Sequence, residues 1–211
     1  MKLSVLIPTH NRPKMFKRAL SSILSVMGKY NVEIIVRCDD NSVTKKDIPV
    51  GHNIHLYHAK KDINGMYKEL YEKSTGDYIY YLEDDDYITP YFETAYKEVS
   101  NGLELFVGLY NSVNKETNIS QISEYRIKHN TLYIPSDFQL SQMIFKRNLI
   151  KPSDFPTSYH NENDEVLLKT ILDRVNKKKV KYSMRYIFNQ DIDYNNLSLD
   201  DILKPRKIKN G

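Results

Sequence analysis

Hydrophobic and polar positions follow two different periods along the first part of the chain. Apolar runs at 3–7, 32–38 and 78–82 each stop at a proline or at acidic residues, which is typical of buried strands. Between the first two runs, residues 13–27 place apolar side chains three and four positions apart, which predicts a helix with Pro13 in its first turn. A strand, a helix and a strand at this spacing predict a βαβ unit and a sheet that is mostly parallel.

The rest of the pattern continues the alternation of strands and helices. Strands are predicted at 53–58, 104–110, 141–146 and 182–188, and helices at 65–74, about 90–100 and about 163–176. Residues 114–130 are polar and predict a connection. We therefore predict an α/β fold with a mostly parallel central sheet flanked by helices. It forms a single domain over 1–203, followed by a basic tail or linker at 204–211.

Length and composition narrow the class of protein. The 211 residues are 40% hydrophobic and 27% charged, as in a soluble globular domain. The only cysteine, Cys38, cannot form an internal disulfide, and the apolar run Val5–Ile7 is too short for a signal peptide or a membrane span. The net charge of +4 is mild, and the basic residues are too dispersed for a specific nucleic-acid partner. We expect a soluble cytoplasmic protein, in the host cytoplasm if the source is viral, and the basic tail is compatible with further domains beyond it.

Two acidic clusters directly follow predicted parallel strands. Asp39 and Asp40 come after strand 32–38, and Glu83–Asp86 come after strand 78–82. Ligands of open α/β sheets bind outside the carboxyl ends of the strands, so both clusters are candidate site residues. Four consecutive acids repel one another unless they are solvated or hold a cation. Mg²⁺ or Mn²⁺ held by one or two carboxylates and by substrate phosphates fits this pattern, and a solvated loop that caps the next helix is the alternative.

Five segments of the chain form an ordered set of motifs. They are Ser4–Arg12, Glu33–Ser42, Gly76–Asp86 with Pro90, Ser141–Arg147 and Asn163–Leu167. In this order and spacing they resemble the GT-A glycosyltransferases of family 2, and the resemblance covers about residues 2–170. It implies the Rossmann-like fold of nucleotide-diphospho-sugar transferases. Residues 1–112 would form the half that binds the nucleotide sugar, and residues 113–203 the half that binds the acceptor.

The resemblance also implies a nucleotide-sugar donor, with UDP favoured by family habit over GDP. Asp40 matches the family carboxylate that accepts the uracil N3–H, and Asp39 is a candidate for the ribose or for a supporting position. His10 falls where an aromatic side chain often lies against the base, and Thr9 where the backbone reaches the base. The full donor-binding set expected from the resemblance is Pro8, Thr9, His10, Asn11, Arg12, Asp39, Asp40, Glu83 and Asp84.

Counting back from Pro90 aligns the second acidic cluster with the metal-binding D-x-D motif of the family. Asp86 takes the last acidic position, Asp85 the metal-ligand position and Glu83 the first position, where the family usually has Asp. We expect Asp85 to hold Mn²⁺ or Mg²⁺ directly. Glu83 and Asp84 would contact the metal, the ribose or the sugar, and the longer arm of Glu83 leaves its role as a second metal ligand open.

Asp164 matches the family acid that serves as general base. Asn163 stands where Glu is common, so the match rests on Asp164 and Leu167, and Glu162 and Glu165 are the alternatives if the register shifts. The resemblance then implies a metal-dependent, inverting hexosyltransferase. It would move one sugar from a UDP-sugar to an acceptor hydroxyl on a glycan or glycoconjugate, as in the surface or capsid glycans of bacteria or large DNA viruses.

Two other functions stay open. A sugar nucleotidyltransferase would carry a Gly-rich, Arg-containing phosphate loop after the first strand, whereas residues 8–12 contain no glycine. A catalytically inactive module that binds a nucleotide or a glycan would keep the same residues without turnover. The chain lacks tryptophan and the Q-x-x-R-W motif of processive relatives, which favours transfer of a single sugar over polymer synthesis.

Overall fold

The computed structural model of the chain describes most of the predicted elements. It describes residues 1–62, 65–114, 120–122, 126–128, 131–133, 139–156 and 163–192. Glu162 and the basic tail at 204–211 lie outside the described residues. The described part includes the backbone of residues 163–165, but not their side chains.

The N-terminal half builds a parallel sheet in the manner the sequence predicts. Its elements are β1 (Leu3–Thr9), α1 (Pro13–Met27), β2 (Val32–Cys38), β3 (Ile54–His58), α2 (Met66–Lys73) and β4 (Tyr78–Tyr81). The strands lie in the order β3-β2-β1-β4, and each neighbouring pair is parallel. The strand positions predicted from the apolar runs are therefore confirmed to within a few residues.

The second half extends this sheet with mixed strand directions. Its elements are β5 (Asp86–Ile88), α3 (Phe92–Ser100), β6 (Leu105–Asn114), β7 (Ser120–Ile122), β8 (Arg126–Lys128), β9 (Thr131–Tyr133), β10 (Met143–Lys146), α4 (Asn163–Arg174) and β11 (Val180–Ile192). β10 pairs antiparallel with both β4 and β6, while β11 is parallel to β6 and antiparallel to β5. The short strand β5 and the strands within the polar connection at 114–130 were not predicted.

The core lies on both faces of the sheet. Val5 and Ile7 of β1 face α1, where they pack with Phe16 in one apolar cluster. Leu6 points to the opposite face and packs in a second cluster with Leu70 of α2. Successive side chains of a strand alternate between the two faces, so a strand covered on both faces is apolar at most of its positions. Burial of each large apolar side chain contributes about 1.5–3 kcal/mol.

Strand register brings the ends of β1, β2 and β4 to one edge of the sheet. Thr9 pairs with Cys38 and Leu6 pairs with Tyr81, so the residues that follow these strands meet at the same edge. The carbonyl of Thr9 accepts a hydrogen bond from the backbone N–H of Asp39 at 3.1 Å. Within the described ranges, no helix is both long enough and apolar enough to span a bilayer.

Candidate active site

A cleft of about 270 Å³ opens at the carboxyl ends of β1, β2 and β4. Its lining consists of Pro8, Thr9, His10, Arg12, Asp39, Lys61, Met66, Glu83 and Asp84. The structure thus brings together most of the donor-binding set predicted from the sequence. Asn11 and Asp40 lie beside the cleft and not in its lining. Lys61 and Met66, which sequence reasoning missed, close the cleft from the side of β3 and α2.

The turn between β1 and α1 carries Arg12 to the cleft. Asn11 in this turn has a φ of 53°, in the left-handed region that asparagine tolerates better than most side chains. α1 then begins at Pro13, whose fixed φ suits the first helical position. The sharp reversal at Asn11 leaves the side chain of Arg12 facing the acidic residues after β4.

Asp84 anchors the floor of the cleft. Its carboxylate accepts hydrogen bonds from the Thr9 hydroxyl at 2.8 Å, from Arg12 Nη1 at 3.1 Å and from the backbone N–H of His10 at 3.4 Å. Burial raises the pKa of Asp84, and these three donors oppose that rise. Asp84 therefore links the end of β1 to the acidic segment after β4.

Asp85 is the partly exposed member of the acidic run. Its side chain is 30% exposed, and its Oδ2 accepts a hydrogen bond from Arg12 Nη1 at 2.8 Å. Arg18 donates to the backbone carbonyl of Asp85 and lies over the ring of Tyr87 at 4.7 Å. Burial lowers the pKa of Arg12, but the charges of Asp85 and Asp84 outweigh this and raise it overall. The guanidinium of Arg12 is thus paired with Asp85, the carboxylate that we expect to bind the metal.

Glu83 and Asp86 differ in their surroundings. Glu83 faces α2, where its Oε1 accepts a hydrogen bond from the Tyr67 hydroxyl at 2.5 Å. Asp86 is 1% exposed, and burial together with the charges of Asp85 and Glu83 raises its pKa well above the ordinary value. Asp84 and Asp85 lie in a turn that leads into β5, in which the backbone N–H of Asp86 donates to the carbonyl of Glu83 at 3.1 Å. Buried and partly exposed residues alternate from Glu83 to Ile88, so the four acids are not four solvated charges.

Asp40 lies in the turn after β2. Its Oδ1 accepts hydrogen bonds from the backbone N–H of Ser42 at 3.1 Å, from the Ser42 hydroxyl at 2.6 Å and from the Cys38 thiol at 3.1 Å. Burial raises the pKa of Asp40, but these hydrogen bonds outweigh it and lower the pKa to about 2. Asp40 is therefore ionised at neutral pH and acts only as an acceptor.

Sequence reasoning missed the buried Arg37 in β2. Its Nε donates to Glu69 Oε2 at 2.8 Å, its Nη2 to the carbonyl of Lys60 at 2.8 Å and its Nη1 to Asp39. The apolar pattern of strand 32–38 predicts burial but does not indicate which groups compensate this cation. The signal available in the sequence was a charged residue within an apolar strand, two positions before an acid.

Asp164 is the second residue of α4, which follows the described segment at 139–156. The side chains of Asp164 and of its rival Glu165 lie outside the described residues, so their role as base stays a prediction. Further along the same helix, Leu167 and Leu168 are buried against the sheet. This packing determines which face of α4 points away from solvent.

The donor atoms at the cleft suit a divalent cation that needs few protein ligands. Among the described residues, no three His, Cys, Asp or Glu side chains are placed to share one metal ion. Mg²⁺ and Mn²⁺ commonly use one or two carboxylates and complete their shell with phosphate oxygens and water. Asp85 already holds one cation, and Glu83 lies at the same edge, so these residues fit a metal that is bound together with its substrate.

These features define the class of protein. Parallel strands bear, at their carboxyl ends, a cleft lined by carboxylates and by the cations of Arg12 and Lys61, which is the arrangement of nucleotide-binding α/β proteins. Residues 4–155 match the family model described as Glycosyl transferase family 2, and the chain belongs to that family.

Comparisons with known proteins agree with this assignment. The chain is 22% identical over 206 residues to the GalNAc(5)-diNAcBac-PP-undecaprenol beta-1,3-glucosyltransferase of Campylobacter jejuni, covering 90% of this chain and 66% of that protein. Crystal structures of S. aureus TarS 1–349 superpose with a TM-score of 0.70 at 15% identity, and with a TM-score of 0.69 at 16% identity for the complex with UDP-GlcNAc. They cover 90% and 92% of this chain but only 60% and 59% of the TarS chains. The GT-A fold expected from the sequence is confirmed, and the chain spans about two thirds or less of these relatives.

Proposed function

We propose that the cleft binds a UDP-sugar together with Mn²⁺ or Mg²⁺, and that the protein transfers the sugar to a hydroxyl of a glycan or glycoconjugate. The observation that carries the proposal is the meeting of Asp39, Glu83, Asp84, Arg12 and Lys61 in one cleft of a family 2 chain. Further support comes from a structural neighbour with bound UDP-GlcNAc and from a curated relative named as a glucosyltransferase.

In this proposal the nucleoside lies between the ends of β1 and β2. Asp40 accepts the N3–H of uracil, His10 lies against the base, and Thr9 reaches the base through its backbone. Asp39 accepts a hydrogen bond from a hydroxyl of the ribose. Pro8 ends the apolar part of β1 and Asn11 turns the chain, so these two residues shape the cleft. The low pKa of Asp40 supports its role, because it keeps the carboxylate ionised, and an ionised carboxylate only accepts hydrogen bonds. The described hydrogen bonds to this side chain end at Oδ1, and Oδ2 would accept from the imide N–H.

The diphosphate and the metal would lie nearer to the acidic residues after β4. Asp85, with Glu83 as a second candidate, would hold the cation. When bound, the cation supplies Lewis-acid stabilisation of the charge that builds on the leaving diphosphate. Arg12 would leave Asp85 as the metal arrives, and its guanidinium would then face the phosphates. Lys61 contributes a second positive charge to the cleft from the loop between β3 and α2.

Asp164 would act as the general base of an inverting displacement. It would remove the proton from the acceptor hydroxyl while that oxygen attacks the anomeric carbon from the side opposite the diphosphate. A well-placed base contributes roughly 10²–10⁴-fold in rate.

The test of this proposal is a screen of UDP-sugars for donor hydrolysis and for transfer to candidate acceptors. Metal-dependent release of UDP from one sugar donor is the expected result. UDP binding without any turnover would favour an inactive binding module. Formation of a nucleotide sugar from a sugar phosphate and a nucleoside triphosphate would instead indicate a nucleotidyltransferase.

A further inference from the structure

A positive charge is buried in the strand that leads to the cleft. Arg37 in β2 is 1% exposed and is among the largest fully buried side chains of the described residues. Taking a guanidinium out of water costs several kcal/mol unless charged and polar partners compensate it. A strand packed on both faces normally carries apolar side chains, so the presence of a buried arginine in this strand requires an explanation.

The partners of Arg37 come from three different segments. Nη1 donates to Asp39 at the end of β2, Nε donates to Glu69 in α2, and Nη2 donates to the carbonyl of Lys60 in the loop between β3 and α2. The planar guanidinium has donors in fixed directions, so one side chain determines the relative positions of all three segments. Lysine, with a single nitrogen on a flexible stem, cannot make the same set of bonds.

Each of these segments borders the cleft. Asp39 itself lines the cleft, Lys61 follows Lys60 directly, and Met66 is the first residue of α2, one turn before Glu69. Arg37 does not line the cleft, but it touches or adjoins the residues that form one wall of it. A displacement of Arg37 would therefore move Asp39, Lys61 and Met66 relative to one another.

The electrostatics of Asp39 also indicate a role for Arg37. The Asp39 side chain is only 7% exposed, and burial raises the pKa of this carboxyl. The titratable and charged groups that interact with Asp39 are Arg37 from β2, His10 from the β1–α1 turn, Tyr57 from β3, Glu69 from α2 and Lys61 from the β3–α2 loop. Arg37, then His10 and Lys61, oppose the effect of burial, while Glu69 adds to it.

We propose that Arg37 is a positioning residue for donor binding, which holds Asp39 in place as a hydrogen-bond acceptor and aligns the wall of the cleft that carries Lys61 and Met66. The proposal rests on the proposed function, in which the cleft binds a nucleoside diphosphate. An ionised carboxylate only accepts hydrogen bonds, whereas a protonated one also donates. Loss of the Arg37 charge would therefore change which ligand group Asp39 can recognise.

The test compares UDP binding by calorimetry, at saturating Mn²⁺, between pH 5.5 and 8 in four proteins. These are the wild type, Arg37→Met, Arg37→Lys and the control Glu33→Gln. Glu33 lies in the same strand at the opposite end, where its buried carboxylate pairs with the partly exposed Lys2, so its loss tests instability without touching the cleft. Each affinity is expressed relative to the wild type at the same pH, which removes the titration of UDP itself.

Arg37→Met is expected to weaken UDP binding by roughly tenfold or more, a loss of about 1.4 kcal/mol, and to make the ratio to the wild type depend on pH. Arg37→Lys keeps the charge but not the directed bonds, so it should weaken binding with a constant ratio. Glu33→Gln should bind UDP like the wild type. If Arg37→Met does not fold, the test depends on Arg37→Lys alone. A folded Arg37→Lys that binds UDP as tightly as the wild type contradicts the positioning role.

The remaining outcomes separate the two proposals. Folded Arg37 variants that bind UDP with the affinity and pH dependence of the wild type overturn the role of Arg37 and leave the donor site intact. A wild-type protein that binds no UDP overturns the proposed donor site, and the role of Arg37 with it. Equal weakening by Glu33→Gln would show that general instability, and not the cleft wall, causes the effect.

Discussion

Arg12 and Asp85 form an ion pair, with Nη1 2.8 Å from Oδ2, at the edge of the candidate active site. The same nitrogen lies 3.1 Å from Oδ1 of Asp84, so one guanidinium bridges two neighbouring carboxylates. Without a metal, this arrangement relieves the repulsion within the acidic run. A divalent cation that binds to Asp85 must therefore compete with Arg12.

Arg12→Gln is expected to change metal binding and nucleotide binding in opposite directions. Mn²⁺ alone should bind more tightly, by roughly tenfold, because a competing positive charge has been removed. UDP at saturating Mn²⁺ should bind more weakly by a similar factor, because a cation that faces the diphosphate is lost. Titration of the nucleotide-free protein with Mn²⁺ measures the metal affinity, and a following titration with UDP measures the nucleotide affinity.

Lys61→Gln is the matched control for this experiment. Lys61 lines the same cleft, and the described contacts of Asp85 involve Arg12 and Arg18 instead. Its substitution should weaken UDP binding and leave the affinity for Mn²⁺ alone nearly unchanged. If Arg12→Gln weakens the affinity for Mn²⁺ alone as well as the affinity for UDP, the prediction that Arg12 competes with the metal is wrong.

Asp164→Asn is expected to lower kcat by roughly 10²–10⁴-fold while leaving UDP binding nearly unchanged, because the base acts on the acceptor and not on the nucleotide. Glu165→Gln, one position further along α4, is the comparison that tests the register of the motif. Steady-state kinetics with a UDP-sugar gives the rates, and proton NMR of the product gives the anomeric configuration. Near-normal turnover in Asp164→Asn, or a product with retained configuration, would contradict the assigned base.

Glu33 should make the stability of the fold depend on pH in the acidic range. Burial raises its pKa, but hydrogen bonds from Lys2, Ser4 and Thr75 outweigh burial and lower the pKa from 4.5 to about 2. A carboxyl with a depressed pKa in the folded state stabilises the protein above pH 4.5, and this stabilisation is lost as the pH falls toward 2. The contribution at neutral pH is on the order of 2 kcal/mol.

Urea unfolding of the wild type and of Glu33→Gln at a series of pH values measures this contribution. The variant should be less stable at pH 7, and its stability should fall less steeply between pH 5 and pH 2. A wild-type curve and a variant curve that run parallel over this range would show that Glu33 is not the group responsible.

Much of the fold could be predicted because its strands are nearly uniform apolar runs. The runs that became β2 and β4 end at Asp39 and Glu83, within two residues of the ends of the strands, whereas β1 continues through Pro8 to Thr9. Strand direction in the second half could not be predicted in this way. The residues of β10 are apolar whichever direction the strand takes, and its antiparallel pairing depends on the route of the chain from β6.

The candidate site also contains residues that could be predicted from the sequence and residues that could not. Motifs local in sequence indicated the turn after β1 and the acids after β4, and the structure places both at one cleft. Arg37, Lys61 and Met66 were missed because their contribution depends on partners from separate segments. The burial of Asp86 was missed too, because β5 becomes a strand only by pairing with β11, far along the chain.

Binding of UDP with and without Mn²⁺ tests the central claim most directly. The wild type and Asp85→Asn are titrated with UDP, GDP, dTDP and CMP, each with Mn²⁺ and with EDTA. We predict that the wild type binds UDP in Mn²⁺, that EDTA weakens this binding strongly, and that Asp85→Asn loses the dependence on Mn²⁺. No binding of any of these nucleotides by the folded wild type would contradict the assignment of the cleft as a nucleotide-sugar site.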